Sequence, residues 1–140
     1  MQYTSLSIND SPTIAMMAAA ELKNARCLAV KFDENGKGIL CGAGENAVGI
    51  LLADTDEAIP ADGKMNVQIK EIGRWVAGGK VAAGDELTSD ASGKCVKAAA
   101  GNFITAIAMT AAAAAGDIIQ VHIVKAGYVP AAAAGAEDSE

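Results

Sequence analysis

The side chains best able to do chemistry in this chain are carboxylates, 17 Asp and Glu in 140 residues, set against a single histidine and three cysteines. Asp33-Glu34, Asp56-Glu57 and Asp85-Glu86 are adjacent pairs, with Asp54 and Asp117 nearby in pattern. Acid-base catalysis needs one carboxyl of a pair desolvated so that its pKa rises toward neutrality. These residues instead keep company with Gly, Asn and Pro, where Asp bonds the backbone of its own turn and stays solvated. None offers the alternating oxygen ligands of a calcium loop. A thiol nucleophile needs a base beside it, and the only base of that kind, His122, falls at the outward phase of a strand pattern. Cys27, Cys41 and Cys95 are odd in number and too widely spaced for a metal-ligand signature, so they read as small buried hydrophobes. Gly42-Ala43-Gly44 has the start of a dinucleotide fingerprint but is followed by strand-like residues. Gly78-Gly79-Lys80 has Val81 where a phosphate loop needs Ser or Thr. The sequence thus gives no catalytic residue, no metal site and no cofactor.

Charge and composition narrow the partners. A net charge of -6 and a pI near 4.7 disfavour nucleic acid, which asks for clustered Lys and Arg. No apolar run reaches the roughly 18 residues of a membrane span, and Ile14 to Ala20 lacks the flanks of a secretion signal, so a soluble, unexported chain is expected. With two Phe, two Tyr and one Trp, the core must come from aliphatic residues and Ala. Such a core holds less area per residue than an aromatic one, and part of the stability is expected from association with other chains.

The elements that would position any site are mostly strands. Met1 to Asp10 is polar with Tyr3, Leu6 and Ile8 interspersed and reads as an extended arm. Ser11-Pro12 is a helix-start signal, and Ile14, Met17, Ala18, Glu21 and Leu22 recur at helical spacing, predicting an α-helix over Thr13 to Asn24. From Cys27 the period becomes two. Strands are predicted at Cys27–Phe32, Gly38–Cys41, Ala47–Ala53, Met65–Lys70, Gly73–Ala77, Glu86–Thr88, Lys94–Ala98, Phe103–Thr110 and Ile118–Val124, separated by turns such as Asn35-Gly36. The organisation expected is an arm and helix over 1–25, a β-domain over 26–126 and a small-residue, acidic tail over 127–140. Short strands without crossover helices favour a mainly β fold, a small antiparallel β-barrel or β-tulip-like domain with one N-terminal α-helix.

The sequence also echoes itself. Val48 to Ile69 and Thr105 to Ile123 each carry a small-Ile step, Gly49-Ile50 and Ala106-Ile107, then a turn with adjacent Gly and Asp. Each closes with three apolar residues in one phase, Met65, Val67, Ile69 and Ile119, Val121, Ile123.

GKVAAGDELTSDASGKCVKA (Gly79 to Ala98), followed by NFITAIAMTAAAAAGDIIQVHIV (Asn102 to Val124), resembles the capsid decoration or cement proteins of tailed bacteriophages, as does the upstream GENAVGILLAD. Asp90-Ala91-Ser92-Gly93 takes the place of that family's Asp-x-x-Gly turn. The resemblance covers Cys27 to Val124. It implies a non-enzymatic virion protein on the outer surface of an icosahedral head, made in the host cytoplasm, whose partners are the major capsid protein and itself, as a homotrimer, with neither nucleic acid nor membrane. Tyr3, Leu6, Ile8, Trp75 and His122 are the candidate capsid or subunit contacts. The alternative is a ligand- or carbohydrate-binding β-domain of a head fibre or particle surface, with Trp75 and Tyr128 as stacking platforms.

Overall fold

A computed structural model describes residues 11–52 and 58–131. The fold is two open five-stranded antiparallel sheets and a two-stranded ribbon. The first sheet holds β1 (Thr13–Met17), β3 (Ala29–Phe32), β4 (Gly38–Leu40), β5 (Gly49–Leu51) and β7 (Lys64–Gln68), ordered β1-β7-β5-β3-β4. The second holds β8 (Glu71–Val76), β9 (Glu86–Ser89), β10 (Cys95–Lys97), β11 (Phe103–Ala108) and β12 (Ile118–Tyr128), ordered β10-β9-β11-β12-β8. The ribbon pairs β2 (Leu22–Lys23) with β6 (Ala58–Ile59). Neither sheet closes, so the expected barrel gives way to stacked sheets.

The expected helix over Thr13 to Asn24 is absent, and β1 and β2 stand in its place. The residues that suggested a helix also carry a period of two: Ile14, Met16 and Ala18 pack on the core while Ala15 and Met17 face out. β1 pairs along its whole length with β7, Met16 lying opposite Met65. That tertiary pairing outweighs a helical propensity already weakened by Thr13 and Ile14. The Ser11 hydroxyl accepts the Thr13 amide at 3.2 Å, a purely local bond that begins no helix.

The two sheets repeat each other in strand order and in the register of their central pairs. Val30 pairs with Gly49 where Leu87 pairs with Ala106, and Ile50 pairs with Gln68 where Ile107 pairs with His122. Met16–Met65 in one sheet corresponds to Trp75–Ile119 in the other. The turns match as well. Asp33 Oδ1 accepts the amides of Asn35 and Lys37 at 2.8 and 2.9 Å, and Asp90 Oδ1 those of Ser92 and Lys94 at 2.8 and 3.0 Å. Each turn then needs a left-handed residue, supplied by Gly36 (φ 77°) and Gly93 (φ 81°). After β1, Ala18 bonds Gly63 and Asp62; after β8, Ala77 bonds Asp117 and Gly116. The echo between the two halves of the sequence is therefore a structural duplication.

Two clusters make the core. One, with Met16, Val30, Leu51, Met65 and Val67, lies between the first sheet and the ribbon. The other joins Ala29, Cys41 and Ile50 of the first sheet to Trp75, Leu87, Cys95, Ala106 and Val121 of the second. Its pin is Trp75, fully buried, whose indole N–H donates to the Gly93 carbonyl at 2.8 Å. The same carbonyl accepts the Ala29 amide at 2.8 Å, so one oxygen ties β3 to β8 and to the β9–β10 turn. Trp75→Phe leaves that bond unmade in a dry site and is expected to cost about 1–3 kcal/mol in urea unfolding. Gly93→Ala, whose methyl would lie 3.0 Å from the Ala29 carbonyl in a left-handed position, is expected to cost a similar amount. Because both act on one junction, the double variant should lose less than the sum of the two.

Candidate functional site: the open face of the second sheet

On β12 the side chains alternate. Ile119, Val121 and Ile123 enter the core, leaving Ile118, Gln120, His122 and Val124 on the other face. β8 adds Ile72 opposite His122 and Arg74 opposite Gln120; β11 adds Ile107 on the other side of His122. Met109 follows β11, its amide donating to the Gln120 carbonyl at 2.8 Å. Ile118 is 59% exposed, Met109 48% and Ile72 46%.

The duplicated register supplies an internal control. Positions equivalent to Ile72, Ile118 and Val124 in the first sheet are Thr13, Lys64 and Lys70, the polar residues expected of a solvated face. The second sheet has aliphatic residues at all three. Large side chains gathered on one outer face mark an interaction surface, whereas scattered single ones do not. His122, at the centre of this patch, is the sequence-derived contact residue that lies on it.

The other candidates part company. Trp75 is in the core, so it is neither a surface contact nor a stacking platform; its indole is spent on the junction between the sheets. Tyr128 is exposed, but its ring packs edge-on against Phe103, centroids 5.1 Å apart, at the far end of β12. Tyr3, Leu6 and Ile8 lie outside the described residues. The sequence signal for the aliphatic residues of the open face is that Ile118 and Val124 share the outward phase of β12 with Gln120 and His122.

Asp33, Asp85 and Asp117 behave as the sequence suggests, whereas Asp54, Asp56 and Glu57 lie outside the described residues. Asp85 accepts the Ala82 amide at 3.0 Å, and Asp117 those of Ala113 and Ala114 at 2.9 and 3.2 Å. Glu45 is held below the usual carboxylate range, first by the Lys31 ammonium at 2.6 Å and then by the Gly42 amide. Among the described residues, no group of three or more His, Cys, Asp or Glu side chains could hold a metal ion. All three cysteines are free and buried. Burial pushes the Cys27 and Cys41 thiols up and that of Cys95 to about 12.

Beside the open face, a cleft of about 330 Å³ lies between β8 and the end of β5, lined by Cys27, Leu51, Leu52, Gln68, Ile72 and Arg74 among others.

The geometry is that of a two-sheet β module with an exposed aliphatic patch and, among the described residues, no metal cluster. The family of phage cement proteins matches residues 10–123, and this chain belongs to that family. It is thus a phage structural protein, a component of the virion. Its fold is similar to that of the head fiber gp8.5 N base of bacteriophage phi29, with a TM-score of 0.62 at 14% identity, over 82% of this chain and 95% of that one. Comparison with curated proteins gives no match.

The buried thiols give a direct check. Native protein at pH 8 should resist alkylation at all three cysteines, which should react together only on unfolding, as read by intact mass. The unfolded thiols ionise near pH 9 and the folded ones higher, so the native state retains more protons in between. Stability is therefore intact below pH 9 and should decline as pH rises toward 12, seen as a falling urea midpoint between pH 8 and pH 10.5.

Proposed function

We propose that this protein is a cement protein of the outer capsid surface, bound to the major capsid protein and stabilising contacts between its subunits, and that it acts as a homotrimer. The observation carrying this reading is the aliphatic face around His122, set on a family known by its role as cement. A closed trimer presents three identical contacts at once, so weak individual contacts add through effective concentration. The acidic chain is suited to a protein partner and has no basic stripe to offer nucleic acid. In this reading Ile72, Ile118 and His122 make contacts between protomers, and the arm of Tyr3, Leu6 and Ile8 reaches a neighbour. The carbohydrate-binding alternative loses its main platform with the burial of Trp75.

The test is cryo-EM of heads with and without the purified protein. Added density at three-fold positions on the outer surface is expected; heads that bind none would refute the assignment. In solution, light scattering should give a trimer. Ile72→Asp with Ile118→Asp should weaken association at least about tenfold while changing protomer stability by about 0.5 kcal/mol or less, because both side chains are exposed.

A further inference from the structure

The cleft beside the open face is an unfilled place in a sheet. Among the described residues β8 pairs with β12 alone, and no strand lies along its other edge. Along that edge two groups have found substitutes for a neighbouring strand. The Val76 amide donates to the Cys27 carbonyl at 3.0 Å, and the Ile72 carbonyl accepts Nε2 of Gln68 at 2.8 Å. Gln68 Nε2 also reaches the Lys70 carbonyl at 2.8 Å, and a side chain on Gly73 would collide with the Gln68 amide. Backbone groups of an antiparallel strand point to alternate sides, so those of Arg74, between Ile72 and Val76, face the cleft too. A side-chain amide thus caps a strand edge over a pocket whose floor is Leu51 and Leu52. Open edges of this kind accept an extended peptide, with backbone bonds for affinity and alternate side chains for fit.

The chain itself supplies such a peptide. The Pro12 carbonyl accepts the Ile69 amide at 2.8 Å, so residues 1–10 depart one residue from Gln68, at the rim of the cleft. Ten residues span up to about 33–36 Å when extended. Leu6 and Ile8 share one phase of a strand and are of a size to enter an aliphatic pocket. Ile72, Arg74 and Gln120 belong both to the cleft and to the open face, so copies that meet on that face bring one copy's arm within reach of the other's cleft.

We propose that the cleft is a strand-acceptor groove for residues 1–10 of a second copy, with Leu6 and Ile8 in the pocket and an added strand on β8 that displaces the Gln68 amide from the Ile72 carbonyl. The proposal rests on the self-association in the reading above.

The test uses full-length chains. One chain carries Ile8→Cys, the other Gln120→Cys with an isotope label, and the two are mixed under mild oxidation. A disulfide between positions 8 and 120 joining labelled to unlabelled chain is expected, located by peptide mapping. A chain carrying both substitutions that links only within itself, with no link in the mixture, would overturn exchange between copies; no 8–120 link in either sample would overturn the groove as the arm's site. A second variant, Leu6→Asp with Ile8→Asp, leaves both sheets untouched and should weaken association about tenfold; unchanged association would count against the proposal. Head binding measured on the same chains separates the two readings: binding without the 8–120 link removes the arm exchange and leaves the cement role standing.

Discussion

The fold depends on one carbonyl oxygen. Gly93 holds it in place from a left-handed turn, and it accepts both the indole of Trp75 and the amide of Ala29. Around this junction the first half contributes mostly small side chains, Ala29, Cys41 and Ala47, with Ile50 the large one, and backbone bonds of Gly44 with Ser89 and Phe103 join the same layers. The Asp90 carboxylate fixes the turn, the turn fixes Gly93, and Gly93 fixes the distance between the layers. A chain poor in aromatics has used its one tryptophan for a hydrogen bond as much as for buried area.

Duplication explains how so plain a sequence makes a definite shape. Each half builds the same five-strand order from the same parts, including a hairpin closed by an Asp-x-x-Gly-Lys turn. The halves differ in their outer faces: the second sheet covers Ala29 and Ile50 of the first, while Ile72 and Ile118 remain uncovered within the chain. In the proposed assembly, this aliphatic face and the neighbouring edge of β8, capped by the Gln68 amide, are the surfaces a second copy takes up.

Much of this was legible in the sequence. Period-two alternation placed most of the strands, the Gly-Asp and Asp-x-x-Gly signals placed the turns, and the pairing of Met65, Val67 and Ile69 with Ile119, Val121 and Ile123 anticipated the duplicated register. The first strand reads as a helix because Thr13 to Met17 satisfies two periods at once, and its partner β7, some fifty residues away, decides between them. Trp75 reads as a surface residue for a related reason: its neighbours Arg74 and Val76 do not say which face is covered. The open face was hidden because alternation shows which side chains share a face but not whether anything lies against it.

Close approach of backbone to backbone has a further consequence. A methyl group on Gly49 would meet the Gln68 carbonyl directly, just as one on Gly93 would meet Ala29. The two differ in degree: at Gly49 the paired backbone of Gln68 itself would have to shift, while at Gly93 the Ala29 carbonyl would have to give by a few tenths of an ångström and the methyl would sit in a left-handed position. At these positions the limit on sequence drift is therefore backbone meeting backbone, Gly49 most of all.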